Sequence, residues 1–210
     1  LDGLAHQTAP RDRFRTLIVD SGSDRLVHTE LIRLAKNLPD TVVIRVDEPG
    51  VSLARNAGAM ACKTRFIAYI DDEAIADPTW VAAILQALST PGPTPAVLGG
   101  RILPRWEAPL PAWWPASLRG VLSIVEHRGE GEYRTPDLPH GLDPYAANMI
   151  VDVDAMLKAG GFGAQLGRDG TTLLSDEEVQ LAWRLQDAGL SVRYDSPILV
   201  PSQLRASLFH

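Results

Sequence analysis

Short unbroken apolar runs alternate along the chain with longer stretches whose apolar residues recur at helical spacing. Thr16-Leu17-Ile18-Val19 runs straight into Asp20-Ser21-Gly22-Ser23-Asp24, the pattern of a buried strand ending in a turn. Leu26, Leu31, Ile32, Leu34 and Ala35 then mark one face of a helix that Asn37 and Pro39 stop. A second strand is expected over Thr41–Val46, a turn at Glu48-Pro49-Gly50 and an alanine-rich segment over Val51–Cys62 that reads as helix. Phe66–Ile70 is the next strand, and it ends abruptly in Asp71-Asp72-Glu73. Pro78 sits where a helix can start, Trp80–Leu88 continues it, and Pro91-Gly92-Pro93 breaks the chain before a strand over Ala96–Ile102. This alternation predicts an α/β fold with a mainly parallel sheet and helices on both faces.

The pattern changes between Pro104 and Pro144, where seven prolines punctuate a stretch that also holds Trp106, Trp113 and Trp114. A long irregular excursion is expected there, of the kind that is usually functional or mobile. Order resumes with Ala147–Val151, a helix over Val153–Ala159 and a Gly160-Gly161 stop. A loop carrying Gly163, Gly167 and Gly170 follows. Ser175 with Glu178 three residues later has the form of a capping box, opening a helix that runs to Ala188 and closes at Gly189. Val192–Tyr194 and Ile198–Val200 read as terminal strands.

Composition narrows the class. The 210 residues suffice for one ordinary domain, and 45% hydrophobic with 22% charged residues is the balance of a soluble globular chain. Twenty basic against 26 acidic residues give a formal charge of −6, which argues against nucleic acid as the main partner. Cys62 is the only cysteine, so no disulfide closes within the chain, and it reads as a small core residue. No Cys/His spacing matches a zinc site, and His127, His140 and His210 have no spacing that forces one. No apolar stretch approaches the ~20 residues that cross a bilayer. Leu1-Asp2-Gly3-Leu4 has neither an initiator Met nor a signal pattern, and a start inside a longer protein is expected.

In a parallel α/β sheet, ligands bind beyond the carboxyl ends of the strands, so Asp20 and the Asp71-Asp72-Glu73 group are placed to converge on one crevice. Adjacent carboxylates repel one another, and Mg²⁺ or Mn²⁺ shared with a diphosphate would hold them together. Equally, they are acids at a turn leading to a helix start, favoured by its dipole. Glu177 and Glu178 open a helix, where one of them could act as a general base or both could simply cap and complement the helix end. Arg55 and Asn56 interrupt an otherwise small, apolar helix; Arg55 either reaches a phosphate or a nucleobase or lies at the surface. Trp106, Trp113 and Trp114 suit a sugar-stacking platform, a partner or membrane surface, or a loop anchor.

Taken in order, these segments resemble the family 2 inverting glycosyltransferases of GT-A fold. Leu17-Ile18-Val19-Asp20-Ser21-Gly22-Ser23 is similar to that family's strand and turn near the nucleobase, which implies a nucleotide contact for Asp20. Gly50–Gly58 resembles the helix before the acidic motif and implies that Arg55 lies near the nucleotide. Phe66–Glu73 resembles the strand ending in the variable DxD motif, with Asp71 and Asp72 toward the nucleotide and Asp72 and Glu73 toward the metal. Ala147-Asn148-Met149 and Gly160-Gly161-Phe162 resemble the acceptor-side segment, to which Asn148, Trp113 and Trp114 are assigned as acceptor contacts. Leu166-Gly167-Arg168 and Leu174–Glu178 resemble the helix with the catalytic base, which by position is Glu178 with Glu177 beside it.

The resemblance implies one GT-A domain over 1–210, with a nucleotide-sugar half over 1–103 and an acceptor and base half over 104–210. Two departures stand out. The family's usual first strand and its Pro/Tyr loop have no counterpart upstream of Leu4 and Gln7-Thr8, and the His that often follows the last strand is replaced by Ser202. The implied activity is transfer of a sugar from a nucleotide-diphosphate donor to an acceptor hydroxyl with inversion, aided by Mg²⁺ or Mn²⁺, in polysaccharide or glycoconjugate synthesis. The implied partners are a nucleotide-diphosphate sugar and a carbohydrate or lipid-linked acceptor. The implied setting is the cytoplasm, with peripheral association at the inner face of the membrane. A non-catalytic carbohydrate- or partner-binding module and a nucleotidyltransferase are the rival readings.

Overall fold

The structure, a computed structural model, describes residues 1–109, 111, 113–115, 121–133, 143–163 and 177–205, with backbone alone for 130–133. The expected capping residue Ser175, Gly167, Gly170, His140 and His210 lie outside the described residues. The helices are α1 (Asp2–Ala5), α2 (Arg25–Ala35), α3 (Val51–Ala61), α4 (Trp80–Ser89), α5 (Val153–Lys158) and α6 (Glu177–Asp187). The strands are β1 (Thr16–Ser21), β2 (Thr41–Val46), β3 (Phe66–Tyr69), β4 (Val97–Trp106), β5 (Glu130–Tyr133), β6 (Met149–Asp152) and β7 (Val192–Leu204). Local chemistry sets several of these boundaries. Asp24 accepts hydrogen bonds from the N–H groups of Leu26 and Val27 and starts α2, and Asp152 accepts from Ala155 and starts α5.

β1 and β2 pair in parallel as one sheet, and a second sheet has the order β3-β6-β4-β7-β5. β6 runs antiparallel to both β3 and β4, β4 and β7 are parallel, and β5 is antiparallel to β7. Three of the five strands therefore share one direction, within a mixed α/β architecture. Alternation along the central strands sorts side chains onto two faces. Ile150 and Leu98 join Trp80, Val81 and Ile84 of α4 in one buried cluster. Met149, Val151 and Val97 join Met156, Phe162, Leu181 and Leu185 in another, beneath α5 and α6. Helices thus cover both faces, as expected. α3 spans the two sheets: a Cβ on Gly58 would sit 3.4 Å from Val19 of β1 and 3.7 Å from Ile67 of β3.

Three expectations change. The two terminal strands are one, β7, whose pairing with β4 slips between Gly99↔Tyr194 and Arg101↔Leu199; the irregularity around Asp195–Pro197 hides its continuity from any periodic pattern. The irregular excursion after residue 104 contains β5 and an isolated bridge between Ile102 and Val125. On α2 only Ala35 is buried, while Leu26 and Ile32 are exposed, because the two-stranded sheet offers the helix little to cover.

Two groups of hydrogen bonds set up the site. The turn after β3 is stitched to the end of β7, with Ile75 N–H donating to Pro201 and Gln203 N–H to Glu73. Asn148, in the 3₁₀ turn Ala146–Asn148, is 1% exposed. Its amide accepts from Trp80 Nε1 (2.8 Å) and donates to the carbonyls of Arg101 (2.8 Å) and Ile198 (3.0 Å). Gly100 leaves room for it, since a Cβ there would stand 2.5 Å from Asn148 Nδ2 and 2.3 Å from the Ile198 carbonyl. Replacing Asn148 by Ala would strand three buried polar groups, at a cost of about 3 kcal/mol. Urea unfolding checks this; a loss within the error of an ordinary surface substitution would contradict it.

Candidate active site

Arg55 is the hub. It projects from the middle of α3 with a side chain only 11% exposed, and carboxylates from two distant segments converge on its guanidinium. Nη1 donates to Glu177 Oε1 and lies 3.9 Å from Glu178 Oε2, while Nη2 donates to Asp71 Oδ1 at 3.3 Å. The acidic end of β3 and the first turn of α6 therefore face one another across a single cation. Because a guanidinium stays protonated, one fixed positive charge is shared among three carboxyl groups. Burial works against Arg55's charge, but Asp71, Glu178 and Glu177 outweigh it and raise its pKa.

The carboxyls answer unequally. Desolvation pushes Asp71 upward; Arg55 pulls it down, and Glu178 and Asp72 add to the rise. Glu178 is also raised, by burial first, with Arg55 opposing and Glu177 reinforcing. Both glutamates are buried, and they open α6, where the helix dipole favours negative charge. They differ in their bonds. Glu177 is tied to Arg55. Glu178 Oε1 accepts from the Ala146 N–H at 3.3 Å, whereas its buried Oε2 has no hydrogen-bond donor among the described residues. Glu178 thus keeps an uncommitted basic oxygen, the feature that a proton acceptor needs.

Several supporting groups were not visible as chemistry in the sequence. Tyr69 donates its hydroxyl to the Arg55 carbonyl at 3.1 Å and meets the Phe162 ring edge-on at 5.3 Å. Phe162 lies 5.6 Å from the Arg55 guanidinium carbon, on the face of its ring. Asn56 exchanges two bonds with the Phe162 backbone, and Ser52 donates to the Gly163 carbonyl. The available signal was Ser52, Arg55 and Asn56 at i, i+3 and i+4 in a helix otherwise made of small and apolar residues, a spacing that puts them on one face.

The other expected residues take different places. Asp20 is 2% exposed and enclosed: it accepts from Ser23 N–H, His28 Nδ1 lies 2.6 Å away, and Arg45 donates at 2.9 Å. Burial pushes its carboxyl up, but the bonds from Ser23 and His28 and the charge of Arg45 prevail and hold it below the usual range. Asn148, expected as an acceptor contact, spends both amide N–H groups on the Arg101 and Ile198 carbonyls and accepts from Trp80 inside the core, and it holds the turn that offers the Ala146 N–H to Glu178. Trp113 is exposed and Trp114 lies beside it, ring centroids 5.6 Å apart; the Arg55 cluster is built without them. Ser202 is buried within β7 and bridged to Ala74, immediately beside the acidic turn.

Asp72 and Glu73 are exposed at that turn, and among the described residues no group of three His, Cys, Asp or Glu side chains is arranged to hold a metal ion by itself. Two hard oxygen donors fit Mg²⁺ or Mn²⁺, which binds through one or two carboxylates together with substrate phosphates. They would not make a closed protein cage. No described helix is long and apolar enough to cross a membrane.

Comparison with known proteins agrees with this architecture. The family model described as glycosyl transferase family 2 matches residues 1–147. Over 208 residues the chain is 29% identical to the pre-mycofactocin glycosyltransferase of Mycobacterium tuberculosis, covering 98% of this chain and 41% of that protein. Over 168 residues it is 27% identical to the glucosyl-dolichyl phosphate glucuronosyltransferase of Haloferax volcanii, covering 79% and 52%. The chain thus spans about half or less of these relatives' length. The crystal structure of S. aureus TarS 1–349 in complex with UDP superposes with a TM-score of 0.68 at 13% identity, over 97% of this chain and 55% of that one, a likeness of fold. By its sequence match and its GT-A architecture, the chain belongs to glycosyl transferase family 2.

Proposed function

We propose that this chain transfers a sugar from a nucleotide-diphosphate donor to an acceptor hydroxyl with inversion at the anomeric carbon. The observation that carries the reading is the inequality of the two glutamates. Arg55 occupies Glu177, while Glu178 presents a buried oxygen that has no hydrogen-bond donor among the described residues, on a carboxyl with a raised affinity for protons. Glu178 takes the proton of the acceptor hydroxyl as that oxygen bonds to the anomeric carbon. The bond from that carbon to the diphosphate breaks on the opposite face, and its electron pair leaves with the nucleotide. Glu177 keeps Arg55 in place beside the base.

Asp71, Asp72 and Glu73 lie where the diphosphate would be held, with Asp72 and Glu73 as the ligands of Mg²⁺ or Mn²⁺; a bound ion would offset the charge that gathers on the leaving group. Ser202 in place of the family's frequent His leaves the protein's share of the ligands to those acids. Asp20, enclosed by Arg45 and His28, would shape the nucleobase end through them. Residues 1–103 would serve mainly the nucleotide sugar and 104–210 the acceptor and base. UDP bound to TarS supports uridine nucleotides as first probes, and the glucosyl-dolichyl phosphate in the name of the Haloferax volcanii relative supports a glycan or lipid-linked acceptor, with Trp113 and Trp114 on the acceptor side; the cytoplasmic face of a membrane is the setting we propose for it.

Two outcomes test the assignment of Glu178. Glu178→Gln should lower transfer by about 10²- to 10⁴-fold while calorimetry finds UDP binding unchanged; equal loss of both would remove Glu178 from the role of base. Its stability should carry the same signature. A carboxyl whose folded pKa is raised favours the native state while protonated, and loses that contribution as pH rises through the folded value. Glu178→Gln should therefore melt above wild type at pH 8, with the difference closing toward pH 4; a difference independent of pH would contradict the shift.

A separate experiment addresses the donor. Calorimetric titration of UDP should show tighter binding with Mn²⁺ than without, and Asp72→Asn should remove that dependence. Binding of glycans without nucleotide would favour a carbohydrate-binding module, and pyrophosphate release from a nucleoside triphosphate would favour a nucleotidyltransferase.

A further inference from the structure

α3 sends Arg55 to the carboxylates and Asn56 to the turn after α5. The Asn56 contact is reciprocal: Nδ2 donates to the Phe162 carbonyl at 2.9 Å, and the Phe162 N–H donates to Oδ1 at 2.8 Å. One side chain thereby satisfies both backbone groups of one residue, which fixes Phe162 in distance and in rotation. The turn is shaped to admit it. Gly161 has φ +70°, and a Cβ there would stand 2.6 Å from Asn56 Oδ1. From the other side Arg184 of α6 donates to the carbonyls of Ala159 and Gly161. The helix bearing Arg55 therefore holds Phe162 and Gly163, the helix bearing the two glutamates holds Ala159 and Gly161 of the same turn, and the Phe162 ring lies under the guanidinium.

We infer that Asn56 is a positioning residue for glycosyl transfer: by bonding both backbone groups of Phe162 it seats the ring that backs Arg55, and so sets how that cation is divided between Glu177 and Glu178. Asn56 touches no reacting atom. The inference rests on the reading of Glu178 as base, because only then does the division of charge matter to the rate. Without the clamp, Phe162 can turn away and the guanidinium loses the surface that holds it over the glutamates.

Asn56→Ala and Phe162→Leu, separately and together in the full chain, test it through two readouts. The guanidinium resonances of Arg55 are shifted by the ring current of Phe162 and need no substrate. They should move to unshifted positions in Phe162→Leu and in Asn56→Ala alike. The kinetic readout uses whichever of UDP-glucose, UDP-galactose and UDP-N-acetylglucosamine the wild type turns over. Misplacement of this kind costs on the order of 10- to 100-fold in kcat with donor KM nearly constant, and the double variant should be no slower than the slower single one. An Arg55 resonance unmoved by Asn56→Ala, a loss confined to KM, or additive losses would overturn the inference. Should Asn56→Ala fail to fold, Asn56→Asp keeps the acceptor for the Phe162 N–H while removing the donor, and the same shift must weaken. A wild type that turns over none of the three sugars would count against transfer from those donors, and the Arg55 resonance would still decide whether Asn56 seats the cation.

Discussion

One guanidinium shared among three carboxylates is the constraint on which the site depends. A buried Arg cannot shed its proton, so α3 can pack where it does only if acids come to meet it. They come from the end of β3 and from the start of α6, segments more than a hundred residues apart, through Asp71, Glu177 and Glu178. The positive charge is insufficient for all three. Glu177 and Asp71 take direct bonds, and Glu178, which accepts from the Ala146 N–H and meets Arg55 only at 3.9 Å, is left with the basicity.

The rest of the fold can be understood as the means of holding that arrangement still. Asn148 ties α4, β4 and β7 together and fixes the turn whose N–H receives Glu178. The acidic turn is anchored to the end of β7, so its carboxylates share a frame with the central sheet. Tyr69 and Phe162 give Arg55 an aromatic seat on the α6 side of that sheet. Most of these contacts join segments far apart in the chain, which makes the geometry of the site a property of the whole domain.

Much of this was legible in the order of residues. Apolar runs ending in acid located β1 and β3 and placed Asp20 and Asp71 at strand ends, and the order of motifs matched the family to which the chain belongs. Local pattern could not say which acids would meet. Asp20 and Asp71 have the same local signature, yet Arg45 and His28 enclose the first while Arg55 engages the second. Nor could it show that Asn148 spends its amide inside the core, because the partners lie on Trp80, Arg101 and Ile198. The bulge that joins the two halves of β7 escaped for a similar reason: a slip of register is defined by the neighbouring strand.

The most direct measurement is the carboxyl titration of Glu178 and Glu177 by NMR on ¹³C-labelled protein, with each resonance assigned by its Gln variant. Unequal sharing of Arg55 places the Glu178 midpoint above the ordinary glutamate value of 4.5. A Glu178 midpoint at or below that value would mean that its oxygen is already stabilised as an anion, and the account of Glu178 as the base set apart by Arg55 would fall.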